Sequence, residues 1–132
     1  MGKLVMIVDD SLTVRKILEV TLSRQEIDFV SYSDGIEVLR ALHQEDHPIP
    51  DLVILDISLP KMNGYTLARL LRTKPQFDHT AIVMLSGRDG MIDYLKARLA
   101  GAKDYITKPF RTQDVVAVVQ SHLRLVPANE VR

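Results

Sequence analysis

Apolar residues gather in short unbroken runs at Leu4–Val8, Asp51–Leu55 and Thr80–Leu85, with weaker runs at Phe29–Tyr32 and Asp104–Thr107. Runs of this length, rich in branched residues and closed by Pro, Gly, Asn or Asp, predict strands. Between them the apolar positions change to helical spacing. Val14, Ile17, Leu18 and Leu22 follow Ser11, a candidate N-cap, to about Arg24. Ile36, Leu39 and Leu42 form a stripe behind Ser33 or Asp34 as cap, to about Glu45. Leu67, Leu70 and Leu71 follow Gly64 and stop near Lys74-Pro75, because the residue before a proline leaves the helical region. Ile92, Leu95 and Leu99 form the next stripe, with Gly101 as its C′ residue.

The last segment, Thr112 to about Leu125, holds Val115-Val116-Ala117-Val118-Val119. Local propensity favours a strand there. The segment is too long for a strand, and Val115, Val118, Val119 and His122 keep a helical period, so a helix is expected. Strands alternating with helices predict an α/β fold, a doubly wound five-stranded parallel sheet with helices on both faces. Four of the strands read as apolar throughout, as burial on both faces requires.

At 132 residues the chain is long enough for one domain with a real core. Residues 1–125 are expected to form it, and 126–132 a frayed tail. Lys plus Arg and Asp plus Glu both number 17, so no charge excess points to nucleic acid or to an acidic membrane surface. The absence of cysteine excludes disulfides, thiolate zinc sites and thiol catalysis, and fits a reducing cytoplasm. No apolar stretch is long enough to insert in a membrane, and Leu4–Val8 is too short for a signal sequence.

The chemistry lies where the runs end. The first ends in Asp9-Asp10, the third in Asp56, the fourth in Ser86 and the fifth in Lys108. Taken singly, each is ordinary: a turn aspartate, a loop serine, a solvated lysine. Parallel strands, however, bring all of them to the carboxyl edge of one sheet, where open α/β sheets bind ligands. Three carboxylates crowded there repel one another. Lys108 offsets one charge, and a hard divalent cation such as Mg²⁺ offsets the rest. No His or Cys stands at the strand ends, against zinc. Asp56 is then a candidate nucleophile toward phosphorus, with Ser86 and the backbone N–H groups of Ile57, Ser58 and Gly87 as candidate donors to phosphoryl oxygens.

Asp9-Asp10, Asp56, Leu59-Pro60-Lys61-Met62-Asn63-Gly64, Ser86-Gly87 and Lys108-Pro109-Phe110 together resemble the receiver domain of two-component response regulators. The resemblance spans residues 3 to about 125. It implies a flavodoxin-like strand order, 2-1-3-4-5, and a signalling switch that is not an enzyme beyond assisting its own phosphorylation and dephosphorylation. It implies Asp56 as phosphoacceptor from a histidine kinase or phosphotransfer protein. Asp9, Asp10, Asp56 and the Ser58 carbonyl would hold Mg²⁺, Lys108 would pair with the phosphate, and the Lys108-Pro109 bond would be cis. Ser86 and Tyr105 would be the switch pair, acting on a partner face of the fourth helix, fifth strand and fifth helix. Lys96, Arg98, Lys103 and Arg111 give that face a basic bias. Ser58 and Arg88 flank the position of attacking water. The output protein is not named by the sequence, and no direct nucleic-acid binding is expected.

Other readings fit less well. A Mg²⁺-dependent phosphatase of the haloacid-dehalogenase type has a second Asp two residues after its nucleophile, where this chain has Ser58. A flavin-binding module needs phosphate donors after its first strand, where Asp9-Asp10 repel phosphate. The chain also reads as a stand-alone receiver of the chemotaxis or twitching-motility kind, or alternatively as one excised from a larger regulator or hybrid kinase.

Overall fold

A computed structural model describes residues 2–87 and 90–123. The expected sheet is present: five parallel strands in the order β2-β1-β3-β4-β5. They are β1 (Leu4–Val8), β2 (Asp28–Tyr32), β3 (Leu52–Asp56), β4 (Ala81–Ser86) and β5 (Asp104–Thr107). The helices are α1 (Leu12–Arg24), α2 (Gly35–Leu42), α3 (Gly64–Arg72), α4 (Met91–Leu99) and α5 (Thr112–Leu123). A short 3-10 turn at Pro75–Phe77, not foreseen from the sequence, precedes β4 and buries Phe77. Residues 124–132, including the expected tail, lie outside the described part.

The strands sort their side chains with period two, so one run feeds two cores. Met6, Val8, Val53, Leu55, Ile82 and Met84 face α2, α3 and α4. Val5, Ile7, Leu52, Ile54, Val83 and Leu85 face Leu18 and Leu22 of α1 and Val115, Val119 and Leu123 of α5. The three central strands are buried along almost their whole length, whereas the edge strands β2 and β5 are only partly covered. Full burial therefore holds for three strands rather than four. An edge strand has a neighbour on one side only and is less completely covered by helices.

Several helix signals are confirmed and some stripes are corrected. Ser11 caps α1 by accepting from the Val14 N–H, and Asp34, not Ser33, caps α2. Gly101 follows α4 with φ of 99°, where a side chain would be strained. The α5 segment is helical despite its valines, because Val115, Val119 and Leu123 share a buried face. In α1 the inward face is Leu18, Thr21 and Leu22, and Ile17 is turned partly to solvent. In α2 the buried apolar side chain is Val38, and the helix stops at Leu42, short of Glu45. In α3 Leu70 is on the outer edge. The largest correction concerns α4. Its apolar stripe points outward, with Ile92, Leu95 and Leu99 at 70%, 51% and 85% exposure, and its buried residue is Ala97. Small residues on the inner face let α4 approach the sheet without burying large side chains.

Strand order reverses between β1 and β3, which place Asp9 and Asp56 beside each other. The loop after Asp56 folds back onto it. Gly64 donates its N–H to the Ile57 carbonyl at 2.8 Å. A Cβ on Gly64 would strike the Asp56 carbonyl and lie 2.8 Å from the Ile57 Cα. These neighbours are backbone and cannot swing away. Gly64→Ala is therefore expected to cost about 2–3 kcal/mol in urea denaturation, the upper part of the overpacking range. An unchanged midpoint would show that the loop yields freely.

Candidate functional site

Asp9 ends β1 and is completely buried, while Asp10 beside it is exposed. A buried carboxylate must have partners, and both Asp9 oxygens do. Oδ1 accepts from the Ser11 N–H at 2.8 Å, and Oδ2 accepts from Lys108 Nζ at 2.9 Å. Asp56 closes β3 with 3% exposure. Its Oδ1 accepts from the Ser58 N–H at 3.0 Å, and its Oδ2 lies 3.4 Å from Lys108 Nζ. Carboxylate oxygens of Asp9, Asp10 and Asp56 all fall within 4.8 Å of one another.

Lys108 reaches this cluster from the end of β5. Its backbone N–H donates to the Ser86 carbonyl at 2.7 Å, which brings the ends of β5 and β4 together. The Lys108-Pro109 peptide bond is cis. The Ser86 side chain is buried at the end of β4. Tyr105 is half-buried on β5, its ring 6.3 Å from that of Tyr94 on α4. The sequence-selected residues Asp9, Asp10, Asp56, Ser58, Ser86 and Lys108 thus come from four loops to one edge. Tyr105 stands behind them on the α4 side. Arg88 falls outside the described residues.

One expectation changes. The Ile57 N–H is already used, donating to the Leu85 carbonyl at 3.2 Å in continuation of the sheet. It is not an available anion donor. The Ser58 N–H, in contrast, already points at an Asp56 oxygen.

Arg15, Glu37 and Lys61 gain partners that the strand-end pattern did not point to. Arg15 on α1 donates from Nη1 to the Asp9 carbonyl at 2.6 Å. Glu37 accepts from both the N–H and the hydroxyl of Ser33, at 2.6 and 2.7 Å. Asp34 accepts from the Glu37 N–H and lies 3.6 Å from Lys61. The Asp34-x-x-Glu37 spacing was a legible capping signature. Nothing in the local pattern indicated Lys61, whose partner Asp34 is distant in the chain, or Arg15, whose side chain turns back to a backbone carbonyl six residues earlier.

The electrostatics follow from this crowding. Burial raises the Asp56 carboxyl above its ordinary range and the Asp9 charge adds to the effect, against the Ser58 N–H and the Lys108 ammonium, which pull it down. Burial alone would lower the Lys108 ammonium. Its hydrogen bond to Asp9 and the charges of Asp56 and Asp9 outweigh this and hold it above its usual value. Backbone donation from Glu37 is the main reason the Asp34 carboxyl lies below its usual range, with Lys61 contributing. The donor set at the cluster is all oxygen, and exposed Asp10 leaves a side open to water. That combination fits a small hard cation that keeps several waters.

Comparison with known proteins agrees with this geometry. Residues 5–120 match the model of the response regulator receiver domain. The chain is 32% identical over 122 residues to protein PilG of Pseudomonas aeruginosa, covering 92% of this chain and 88% of that protein. A response regulator structure from Chloroflexus aurantiacus J-10-fl superposes with a TM-score of 0.85 at 31% identity, covering 94% of this chain and 99% of that one. The receiver domain of sensor histidine kinase PA1611 from Pseudomonas aeruginosa, with a magnesium ion coordinated in its active-site cleft, has the same fold (TM-score 0.81, 22% identity, 94% and 99% coverage).

The crowding generates a pH dependence. Asp56 keeps its proton to higher pH in the folded chain than in the unfolded one. Between the ordinary value of 3.8 and its raised value, the folded state binds more protons, so stability falls as pH rises through that window. Asp56→Asn removes this slope while Lys108 keeps Asp9. In EDTA at pH 7 the variant is expected to be more stable by about 1–2 kcal/mol, the net of relieved repulsion and one lost ion pair. Equal urea midpoints for the two proteins would show that Lys108 already balances the cluster.

Proposed function

The chain belongs to the receiver-domain family of two-component response regulators, and we propose that Asp56 is its phosphoacceptor, with a histidine kinase or phosphotransfer protein as donor. The observation that carries this reading is the meeting of three carboxylates from the ends of β1 and β3 with the Lys108 ammonium. Asp9, Asp10 and Asp56, with the Ser58 carbonyl, would hold Mg²⁺. Bound there, Mg²⁺ supplies positive charge to the oxygens of the transferring phosphoryl group.

An Asp56 oxygen attacks the phosphorus of a phosphohistidine. The new O–P bond forms as the P–N bond breaks, and the imidazole nitrogen leaves with the electron pair. Lys108 stays an ammonium at neutral pH and stabilises charge spread over the equatorial oxygens. Asp9 sets the Lys108 head group by its 2.9 Å hydrogen bond, and the Ser58 N–H orients Asp56. The product is an acyl phosphate whose charge and acceptor oxygens are new to the pocket.

That change is read by Ser86 and Tyr105. Ser86 donates its hydroxyl to a phosphoryl oxygen and draws its loop inward, and the Tyr105 ring repacks against α4. The event is local charge biasing a two-state element. The partner face centres on α4. At roughly 100° per residue, Met91, Ile92, Leu95 and Leu99 fall within one arc of about 100°, all of them exposed. Lys96 and Arg98 border this arc on either side, and Lys103 adds a further exposed cation. Arg111 is paired with Asp114 at 3.2 Å and contributes less to the basic bias. Two copies packed through this stripe would set like charges against each other. The chemistry suits an acidic segment with apolar residues at helical spacing.

Incubation with Mg²⁺ and a small acyl-phosphate donor is expected to add one phosphoryl group to the wild type, seen by intact mass, and none to Asp56→Asn. An adduct on both would move the acceptor elsewhere. For the switch, fluorotyrosine-labelled protein provides a reporter at Tyr105. Its ¹⁹F resonance is expected to shift on phosphorylation of the wild type, whereas Ser86→Ala takes the phosphoryl group and shows little shift. Identical shifts in both proteins would separate Ser86 from the switch.

A further inference from the structure

Lys61 stands in the loop between β3 and α3 with φ of 68°, in the left-handed region that residues bearing a Cβ avoid. Such a conformation persists where its surroundings over-determine it. Two contacts do so here. The Lys61 ammonium lies 3.6 Å from Asp34 Oδ2. The next residue, Met62, packs beneath Gly35, where an added Cβ would be 3.2 Å from its sulfur. Asp34 and Gly35 form the turn that starts α2. That turn is itself braced, since Asp34 caps the helix and Glu37 holds the Ser33 N–H and hydroxyl.

The loop so anchored is the one that leaves Asp56 and carries Ser58. It bonds to itself through Leu59 N–H to the Ile57 carbonyl, Met62 N–H to the Pro60 carbonyl and Gly64 N–H to the Ile57 carbonyl. A pull at Lys61 is therefore passed to the segment beside Asp56. The other end of the brace also borders the site, because the Asp9 N–H donates to the Tyr32 carbonyl at the end of β2.

From this geometry we infer that the Asp34–Lys61 pair is a latch that positions the β3–α3 loop, and thereby sets how tightly the carboxylate cluster holds Mg²⁺. The inference rests on the Mg²⁺ reading above. Asp34 and Lys61 are positioning residues, outside the cluster formed by Asp9, Asp10 and Asp56.

A latch and a simple electric field predict different signs. In a field, Lys61→Met removes a nearby cation and tightens Mg²⁺, whereas Asp34→Asn removes an anion and weakens it. With a latch, both substitutions release the loop and both weaken binding. Asn keeps a side-chain oxygen to cap α2, and Met keeps the side-chain stem and the same backbone cost at positive φ. Mg²⁺ affinity is to be measured by calorimetry without phosphodonor, at about 0.15 M salt, where screening shortens the reach of exposed charges.

The expected result is a two- to fivefold loss in each single variant, the range open to a partly exposed ion pair. The double variant should be no weaker than either single one, and Lys61→Arg should bind like the wild type. Opposite shifts in the two single variants, additive losses, or unchanged affinities would overturn the latch while leaving the metal site standing. A wild type that does not bind Mg²⁺ would overturn the metal site and the latch with it.

Discussion

One ammonium group makes the rest of the site tenable. Asp9 and Asp56 are both almost without solvent contact, and neither could remain ionised there alone. Lys108 lies between them at 2.9 and 3.4 Å. It comes from the opposite half of the sheet, so the compensation exists only when β5 is docked and the chain is fully folded. The cluster is still overcharged, since Asp10 adds a third carboxylate. Burial and the Asp9 charge push the Asp56 carboxyl upward, and a hard divalent cation would offset the remaining excess. Stability has been exchanged for a pocket ready to receive charge, as functional sites commonly do.

The fold serves this arrangement by geometry. Parallel strands point their carboxyl ends the same way, and the reversal of order at β1 and β3 opens a crevice between them. The loops around the crevice are held by backbone constraints rather than by bulk: Gly64 against the Asp56 carbonyl, Ser86 bonded to the Lys108 N–H, Arg15 on the Asp9 carbonyl. On the opposite side of Tyr105 lies α4, whose large apolar side chains face outward while small alanines face inward. The inward side chains of this helix are small, so it buries little apolar surface against the sheet.

The strands, the helix order and the strand-end chemistry were readable from the chain because each depends on short-range pattern. A buried parallel strand must be an apolar run, and the residue that ends it must sit at the sheet edge. Hence Asp9, Asp10, Asp56, Ser86 and Lys108 could be selected together. The stripes of α1 and α4 were less legible. Helical periodicity reports that an apolar face exists, not which way it turns. In α4 the inward face is alanine and the outward face is Leu, Ile and Met, which inverts the usual rule.

By itself, the sequence determined the alternation of elements, the doubly wound class and the set of charged and hydroxyl groups at the carboxyl edge. Local periods and strand ends carry that information directly. Tertiary structure alone decided that the Ile57 N–H belongs to the sheet, that Arg15 holds the Asp9 carbonyl, that Lys61 meets Asp34 and that α4 leaves its apolar side bare. All but the Arg15 contact, which spans six residues, depend on how loops and helices from separate parts of the chain are brought together. That is fixed by packing against the common sheet, not by any pattern within one segment.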